Sequence, residues 1–321
     1  MAKGSLYLLL IIFVSQVAKA QEVNNLLSFK NINSDKYFRL NYENDYFSAT
    51  DIYYTQGVSI EYVSPSLARF PLSKLLFRPN YGYTRYGLGL EHDGYTPTSI
   101  GHDNILYGDR PFAATLTLKS FQISIDSVRR RRFSTMLSAG IIGPAAGGAE
   151  MQTGIHHALH NVLPHGWKYQ IHNDAAINYD ADYEKQLVSL GKIFSLDADA
   201  FARVGTLNDK ASIGFTIMTG YFDSPFEPII VKGKNFRLYA YDHPQLNIVG
   251  YDATLEGGLF NRSSPYIIEP SELNRFTFQN RFGFVLVYRR VYLEYFQSYL
   301  SREFQTGNYH VWGGVQLAFG L

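Results

Sequence analysis

Apolar and polar residues alternate with a period of two along most of this chain. From Thr55 to Val63, Val58, Ile60 and Tyr62 share one face, while Gly57, Ser59 and Glu61 share the other. Phe112 to Lys119 repeats the pattern, with Ala114, Leu116 and Leu118 opposed to Thr115, Thr117 and Lys119. At the end of the chain Val311, Gly313, Val315, Leu317, Phe319 and Leu321 form a row opposed by His310, Trp312, Gly314, Gln316, Ala318 and Gly320. Successive side chains of a strand point to opposite faces, so each stretch predicts a strand with one apolar and one polar side. Further strands are predicted over Tyr37–Asn44, Thr84–Glu91, Phe133–Ile142, Gln170–Tyr179, Lys185–Leu196, Asp197–Val204, Ser212–Tyr221, Phe236–Ala240, Gln245–Gly257, Leu273–Asn280, Phe282–Tyr288 and Val291–Tyr299. These fifteen stretches are close to the roughly twelve to fourteen strands of a closed barrel of this length.

One segment breaks the alternation. In Gly147–Leu163, Met151, Ile155, Leu159 and Val162 fall at helical spacing after a glycine-rich turn, which predicts a short helix stopped by Pro164. Asp223–Lys234 and Asn261–Glu272 read as loops.

Period-two alternation suits two architectures. A soluble sandwich turns its apolar faces inward; an outer-membrane barrel turns them to lipid and lines its lumen with the polar faces. Three features favour the barrel. Lys3, the apolar run Leu8 to Val14 and Ala18-Lys19-Ala20 have the layout of a signal peptide over residues 1–20, leaving 21–321 as one exported domain. The last alternating strand runs to the chain end. The turn at Arg289-Arg290 is very short, as on one side of a membrane barrel. Composition adds three points. The absence of cysteine excludes disulfides and thiolate metal sites. The 25 Tyr and 23 Phe against 2 Trp suit β-structure and interfacial girdles, and also sugar-binding sandwiches. A net charge of +1 gives no general attraction to nucleic acid.

Several groups could carry chemistry. Glu43-Asn44-Asp45, followed by Ser48, Asp51 and Thr55, gathers oxygen donors of the kind calcium prefers, and equally reads as a hydrated loop. His156, His157 and His160, with His165 and His172 beyond, fit a zinc pair at i and i+4, a general base, or a solvated polar face. Tyr107-Gly108-Asp109-Arg110-Pro111 holds an Asp-Arg pair that suits a structural ion pair or a phosphate contact. Arg129–Arg132 suits a phosphate-rich membrane surface or a solvated turn. No GxSxG elbow, P-loop or dinucleotide fingerprint is present.

In order along the chain, Asn44-Asp45, Tyr54-Thr55-Gln56-Gly57, Gly108-Asp109-Arg110-Pro111-Phe112-Ala113, Ile142-Gly143-Pro144-Ala145-Ala146-Gly147-Gly148-Ala149-Glu150-Met151-Gln152 and His156 resemble the lipid A 3′-O-deacylases. Trp167–Asp174 resembles the next block of that family. The likeness is sharp over Leu40–Asp174 and weaker to Leu321. It implies an all-β fold, a twelve-stranded antiparallel transmembrane β-barrel in the outer membrane, with one short helix near the active site. It implies calcium-dependent hydrolysis of the ester-linked 3′-acyloxyacyl group of lipid A. Carried over, His156 is the base, Asp45 a calcium ligand, and Asn44 and Thr55 polar groups near the oxyanion. Asp109 and Arg110 match a family motif without an assigned role. Two positions depart from the pattern: Val162 stands where a catalytic glutamate is expected, leaving Glu150 or Asp174 to supply a carboxylate, and the chain ends in Leu321 rather than an aromatic, with Phe319 near by. A barrel phospholipase and a non-catalytic, porin-like or structural barrel are the alternative readings.

Overall fold

The computed structural model describes residues 32, 34–48, 52–227 and 236–321. The signal-peptide segment 1–20 and Asp51 lie outside the described residues. Twelve strands follow one another: β1 (Tyr37–Asn44), β2 (Tyr53–Val63), β3 (Tyr83–Thr96), β4 (Ala113–Asp126), β5 (Arg131–Ile142), β6 (Asp174–Leu190), β7 (Phe194–Gly205), β8 (Asn208–Tyr221), β9 (Phe236–Asp252), β10 (Phe276–Tyr288), β11 (Val291–Leu300) and β12 (His310–Gly320). Each pairs antiparallel with the next, and β1 pairs with β12, Tyr37 facing Gly320 and Asn44 facing Gly313. Closure leaves no sheet edge, so strand backbone groups are satisfied within the wall, as a structure surrounded by lipid requires.

Burial decides between barrel and sandwich. On β1, Arg39, Asn41 and Glu43 are buried, while Phe38 and Leu40 are each 40% exposed. On β4, Thr115, Thr117 and Lys119 point inward and Leu118 outward. The polar face is therefore the inner one and the apolar face the outer one, the reverse of a soluble core. The lumen is filled rather than open. Arg39 donates to Glu61 at 3.0 Å and to Gln316 at 2.6 Å. Arg203 clasps Asp180 with two bonds of 2.8 Å. Asp199 lies 2.9 Å from His243, and the hydroxyls of Tyr241 and Tyr292 donate to Glu294 at 2.5 and 2.6 Å. Arg132–Glu184 and Lys119–Glu91 complete the set. These inward groups are shielded from solvent, unlike the lining of a water-filled porin.

The structure corrects several sequence expectations: the turn 191–193 falls inside the predicted Lys185–Leu196, and β10 runs through Arg281, joining the predicted Leu273–Asn280 and Phe282–Tyr288. Residues 180–184 do not separate two strands; β6 runs through them, because Asp180, Asp182 and Glu184 occupy successive lumenal positions. Likewise β9 is continuous through Pro244. There the ladder to β8 skips from Gly214–Gln245 to Ile217–Asp242, where proline has no N–H to give.

The connections are longer on the whole at one end than at the other. One end carries 45–52, 97–112, 143–173, 206–207, 253–275 and 301–309; the other carries 64–82, 127–130, 191–193, 222–235 and 289–290. Longer loops mark the extracellular end. It holds helix α1 (Gly148–Leu159) and the single turn α2 (Ala253–Glu256). The predicted helix is present but stops at His160, whose left-handed backbone (φ 55°) ends it before Pro164.

The lumenal ion pairs give a stability test. Removing one partner of a buried pair typically costs about 3–5 kcal/mol, because the other charge is left uncompensated. Arg39→Met is expected to destabilise the barrel by about that amount in urea unfolding, and Arg39→Met combined with Glu61→Met to recover most of the loss.

Candidate active site

Outward-facing polar residues are anomalous on a lipid-facing wall, and here they cluster. Asn44 on β1 pairs with Gln56 on β2, Gln56 with Gly94 on β3, and Gly94 with Ala114 on β4. This continuous row lies near the extracellular end of the outer wall. Thr55 is the extra residue of a bulge between Tyr54 and Gln56, a device that re-aims a side chain. Thr55, Gln56 and, one outward position lower on β3, His92 are all buried although they point away from the lumen.

Helix α1 covers them. Gly143, at φ 109°, turns the chain out of β5 and donates its N–H to Ala114 O at 2.8 Å. Gly148 then sits directly on β4. A Cβ there would lie 2.4 Å from the Ala114 methyl and 2.7 Å from the Trp167 ring, so only glycine lets the helix come this close. One turn later Gln152 bridges helix and wall. Trp167 Nε1 donates to its Oε1 at 2.7 Å, and its Nε2 donates to Thr55 Oγ1 at 3.4 Å. The helix thus starts over β4 and reaches β2 by Gln152. His156 is the next residue of the same stripe, one turn beyond Gln152 and likewise buried. The buried stripe of α1 is Gly148, Gln152 and His156. The apolar stripe read from sequence flanks this face, with Met151 and Ile155 half-buried and Leu159 68% exposed.

The imidazole has a defined partner. His156 Nδ1 lies 2.6 Å from the Val162 carbonyl oxygen. A carbonyl only accepts, so Nδ1 carries the proton and Nε2 is the basic nitrogen. The left-handed His160 and the bond from Asn161 N–H to His156 O at 2.9 Å fold the chain back to bring that carbonyl into place.

At the tip of β1, Asn44 Oδ1 accepts from Tyr46 N–H at 2.7 Å, and Asp45 Oδ2 accepts from Ile52 N–H at 2.6 Å. Ser48 Oγ is buried with no hydrogen-bond partner among the described residues. An all-oxygen set with one carboxylate and an orphaned hydroxyl suits a hard cation such as calcium. Zinc finds no such set. His160 has left the helix, and His157 and His160 are exposed while His156 faces the wall. Among the described residues no three His, Asp or Glu side chains gather to hold a metal.

Comparison with known proteins bears on this arrangement. The sequence profile described as "Outer membrane protein LpxR" matches residues 6–321. The chain belongs to the LpxR family. LpxR from Salmonella typhimurium shares the fold, with a TM-score of 0.72 at 18% identity, covering 89% of this chain and 100% of that one. The β-domain of the Bordetella autotransporter BrkA is more distant, with a TM-score of 0.47 at 8% identity, covering 90% of this chain and 100% of that one. No individually curated protein matches the chain. Membership of LpxR, the lipid A 3′-O-deacylase family, places the chain in the outer membrane.

Other residues singled out in the sequence sit elsewhere in this LpxR barrel. Arg110 is a buried clamp across the extracellular mouth. It pairs with Glu303, donates to Thr254 Oγ1 at 2.6 Å and stacks 4.5 Å over the Tyr95 ring. Asp109 accepts from Thr98 N–H at 2.9 Å and orders the 97–112 loop. That loop is also tied to Lys168, whose ammonium hydrogen-bonds Asp103 at 2.6 Å and lowers the pKa of that carboxyl. Asp174 accepts from Phe260 and Asn261 N–H groups at 2.7 and 2.9 Å, so it anchors the 253–275 loop. Glu150 is exposed, on the side of α1 away from the buried stripe. Neither carboxylate is the partner of His156 Nδ1; the Val162 backbone is. Sequence reasoning placed Gln56, Gln152 and Trp167 in the family blocks without a role and missed His92. Their signal was present: Gln152 precedes His156 by one turn, and Gln56 and His92 continue the apolar rows of Val58 and Leu90 with polar side chains.

The tight seat of α1 on Ala114 is testable. Gly148→Val is expected to lift the helix and reduce turnover of lipid A on the order of a hundredfold, since small misplacements of a catalytic group have that effect. Heat-modifiable gel mobility should show the barrel still folded.

Proposed function

We propose that this protein hydrolyses the ester that holds the 3′-acyloxyacyl group on lipid A, with calcium as cofactor, at a site on the outward wall of the barrel beneath α1. The observation that carries this reading is the two-ended fixation of His156. Gln152 ties its helix to Thr55, and the Val162 carbonyl fixes its tautomer, so Nε2 is presented as a base on a lipid-facing surface.

The chemistry follows from that tautomer. His156 Nε2 takes a proton from water, and the resulting hydroxide attacks the acyl carbonyl carbon. The ester C–O bond breaks, the proton passes from His156 to the departing sugar oxygen, and a carboxylic acid and a free 3′-hydroxyl result. Asp45 and Ser48 would hold the cation, which when bound supplies positive charge where negative charge develops on the carbonyl oxygen. Asn44 and Thr55 line the same wall and present polar groups toward that oxygen. Removal of one such group typically costs on the order of a hundredfold. The neighbouring wall is apolar, with Ile60, Leu90 and Leu118 exposed on β2, β3 and β4, so acyl chains can stay in the leaflet while the ester reaches the base.

Incubation of the purified protein with lipid A and calcium, followed by mass spectrometry, is expected to show loss of one acyloxyacyl group. His156→Ala and Asp45→Ala should each lower the rate at least on the order of a hundredfold, and a calcium chelator should abolish it reversibly. An unchanged lipid A mass with wild-type protein would refute the activity. Fatty acid released from phospholipid in its place would refute the substrate.

A further inference from the structure

The connection from β2 to β3 breaks the rule of short turns at the periplasmic end. Residues 64–82 form two 3-10 turns, Pro65–Arg69 and Pro71–Leu75, and fold back over the outside of the wall. The wall is built to receive them. Ser120, Gln122 and Ser124 on β4 point outward yet are fully buried, while Phe121, Ile123 and Ile125 point inward. The usual code is reversed where the strap lies. Phe77 O accepts from Gln122 Nε2 at 2.9 Å and from Thr135 Oγ1 at 3.0 Å, and Phe77 N–H donates to Tyr179 OH at 2.7 Å. Arg78 donates to Tyr86 OH at 2.7 Å, and the Phe77 ring meets Phe133 edge-on at 5.6 Å. Irregular backbone at membrane depth is stable only when protein groups satisfy it, and here wall side chains do so.

The free side of the strap is amphipathic. Leu75 and Phe77 are 62% and 61% exposed. Arg69, Lys74 and Arg78 beside them are exposed too. The strap's far end adjoins the basic β4–β5 turn through Arg131, which stacks 4.6 Å over the Tyr81 ring. In that turn Arg129 and Arg130 are exposed, whereas Arg132 points inward to Glu184. Asp126 neutralises part of the turn, lying 3.7 Å from Arg129 and 3.0 Å from Arg131.

We propose that this strap and turn bind an anionic phospholipid of the inner leaflet. Lys74 and Arg78 of the strap and Arg129 of the turn draw the headgroup to this end of the wall, and the acyl chains lie over Leu75 and Phe77. Charge complementarity selects the occupant: cations near a membrane surface favour anionic headgroups. The inference depends on the membrane position of the barrel and not on its hydrolytic activity.

Native mass spectrometry of the full chain in detergent micelles, titrated with phosphatidylglycerol and phosphatidylcholine of identical acyl chains, tests it. Wild-type protein is expected to retain phosphatidylglycerol preferentially. Lys74→Gln with Arg129→Gln should cut that preference roughly fivefold per cation removed, and Arg302→Gln at the opposite rim should leave it unchanged. Equal retention of the two lipids by wild type, loss of the preference in Arg302→Gln, or displacement of the lipid by inorganic phosphate would overturn the proposal. Should the double variant fail to fold, the wild-type preference at low and high salt decides instead: it must fall as salt rises.

Discussion

The bond from Trp167 to Gln152, and from Gln152 to Thr55, holds a helix against the outside of a closed barrel. A lipid-facing wall offers few hydrogen bonds, so a polar helix face stays there only if the wall supplies partners. It does so along the row from Asn44 to Ala114, where a bulge turns Thr55 toward the helix, Gly94 leaves room for Gln56 and Thr55, and Ala114 leaves room for Gly148 of the helix. The placement of His156 depends on that contact. Release of Gln152 would free α1 to move with the 143–173 loop, and His156 would move with it.

The rest of the barrel makes such a site possible. Lumenal side chains are committed to one another in buried ion pairs, and the mouth is bridged by Arg110 and Glu303. In the proposed reaction the substrate therefore approaches through the leaflet rather than along the lumen. The same logic recurs at the opposite end, where outward Gln122 and Thr135 receive the irregular backbone of Phe77. In both places polar side chains on the outer face mark where non-strand chain covers the wall.

Much of this was legible in the sequence. Strand alternation located β1 with its observed bounds and most of the others within a few residues, and the glycine-rich turn announced α1. Two kinds of residue misled. Charges at alternate positions, as in Asp180–Glu184, read as loop because their partners, such as Arg203 and Arg132, are remote in sequence. The apolar stripe of α1 announced a helix but not which face it seats, because periodicity cannot distinguish a helix face packed on protein from one exposed to lipid. The Val162 position shows a further limit. A missing carboxylate reads as a lost function, yet the imidazole contact is made by a main-chain oxygen, which no side-chain comparison records.

The central claim is that substrate lies on the outward wall beneath α1. Photo-cross-linking with lipid A carrying a diazirine in its 3′-linked acyl chain, with adducts mapped by mass spectrometry on the full chain in vesicles, measures this directly. Adducts are expected on outward residues such as Val58, Ile60, Leu90 and Leu118 and on Met151 or Ile155 of α1. Adducts confined to lumenal residues such as Ser59 or Thr117, or absent from β2 to β4, would contradict it.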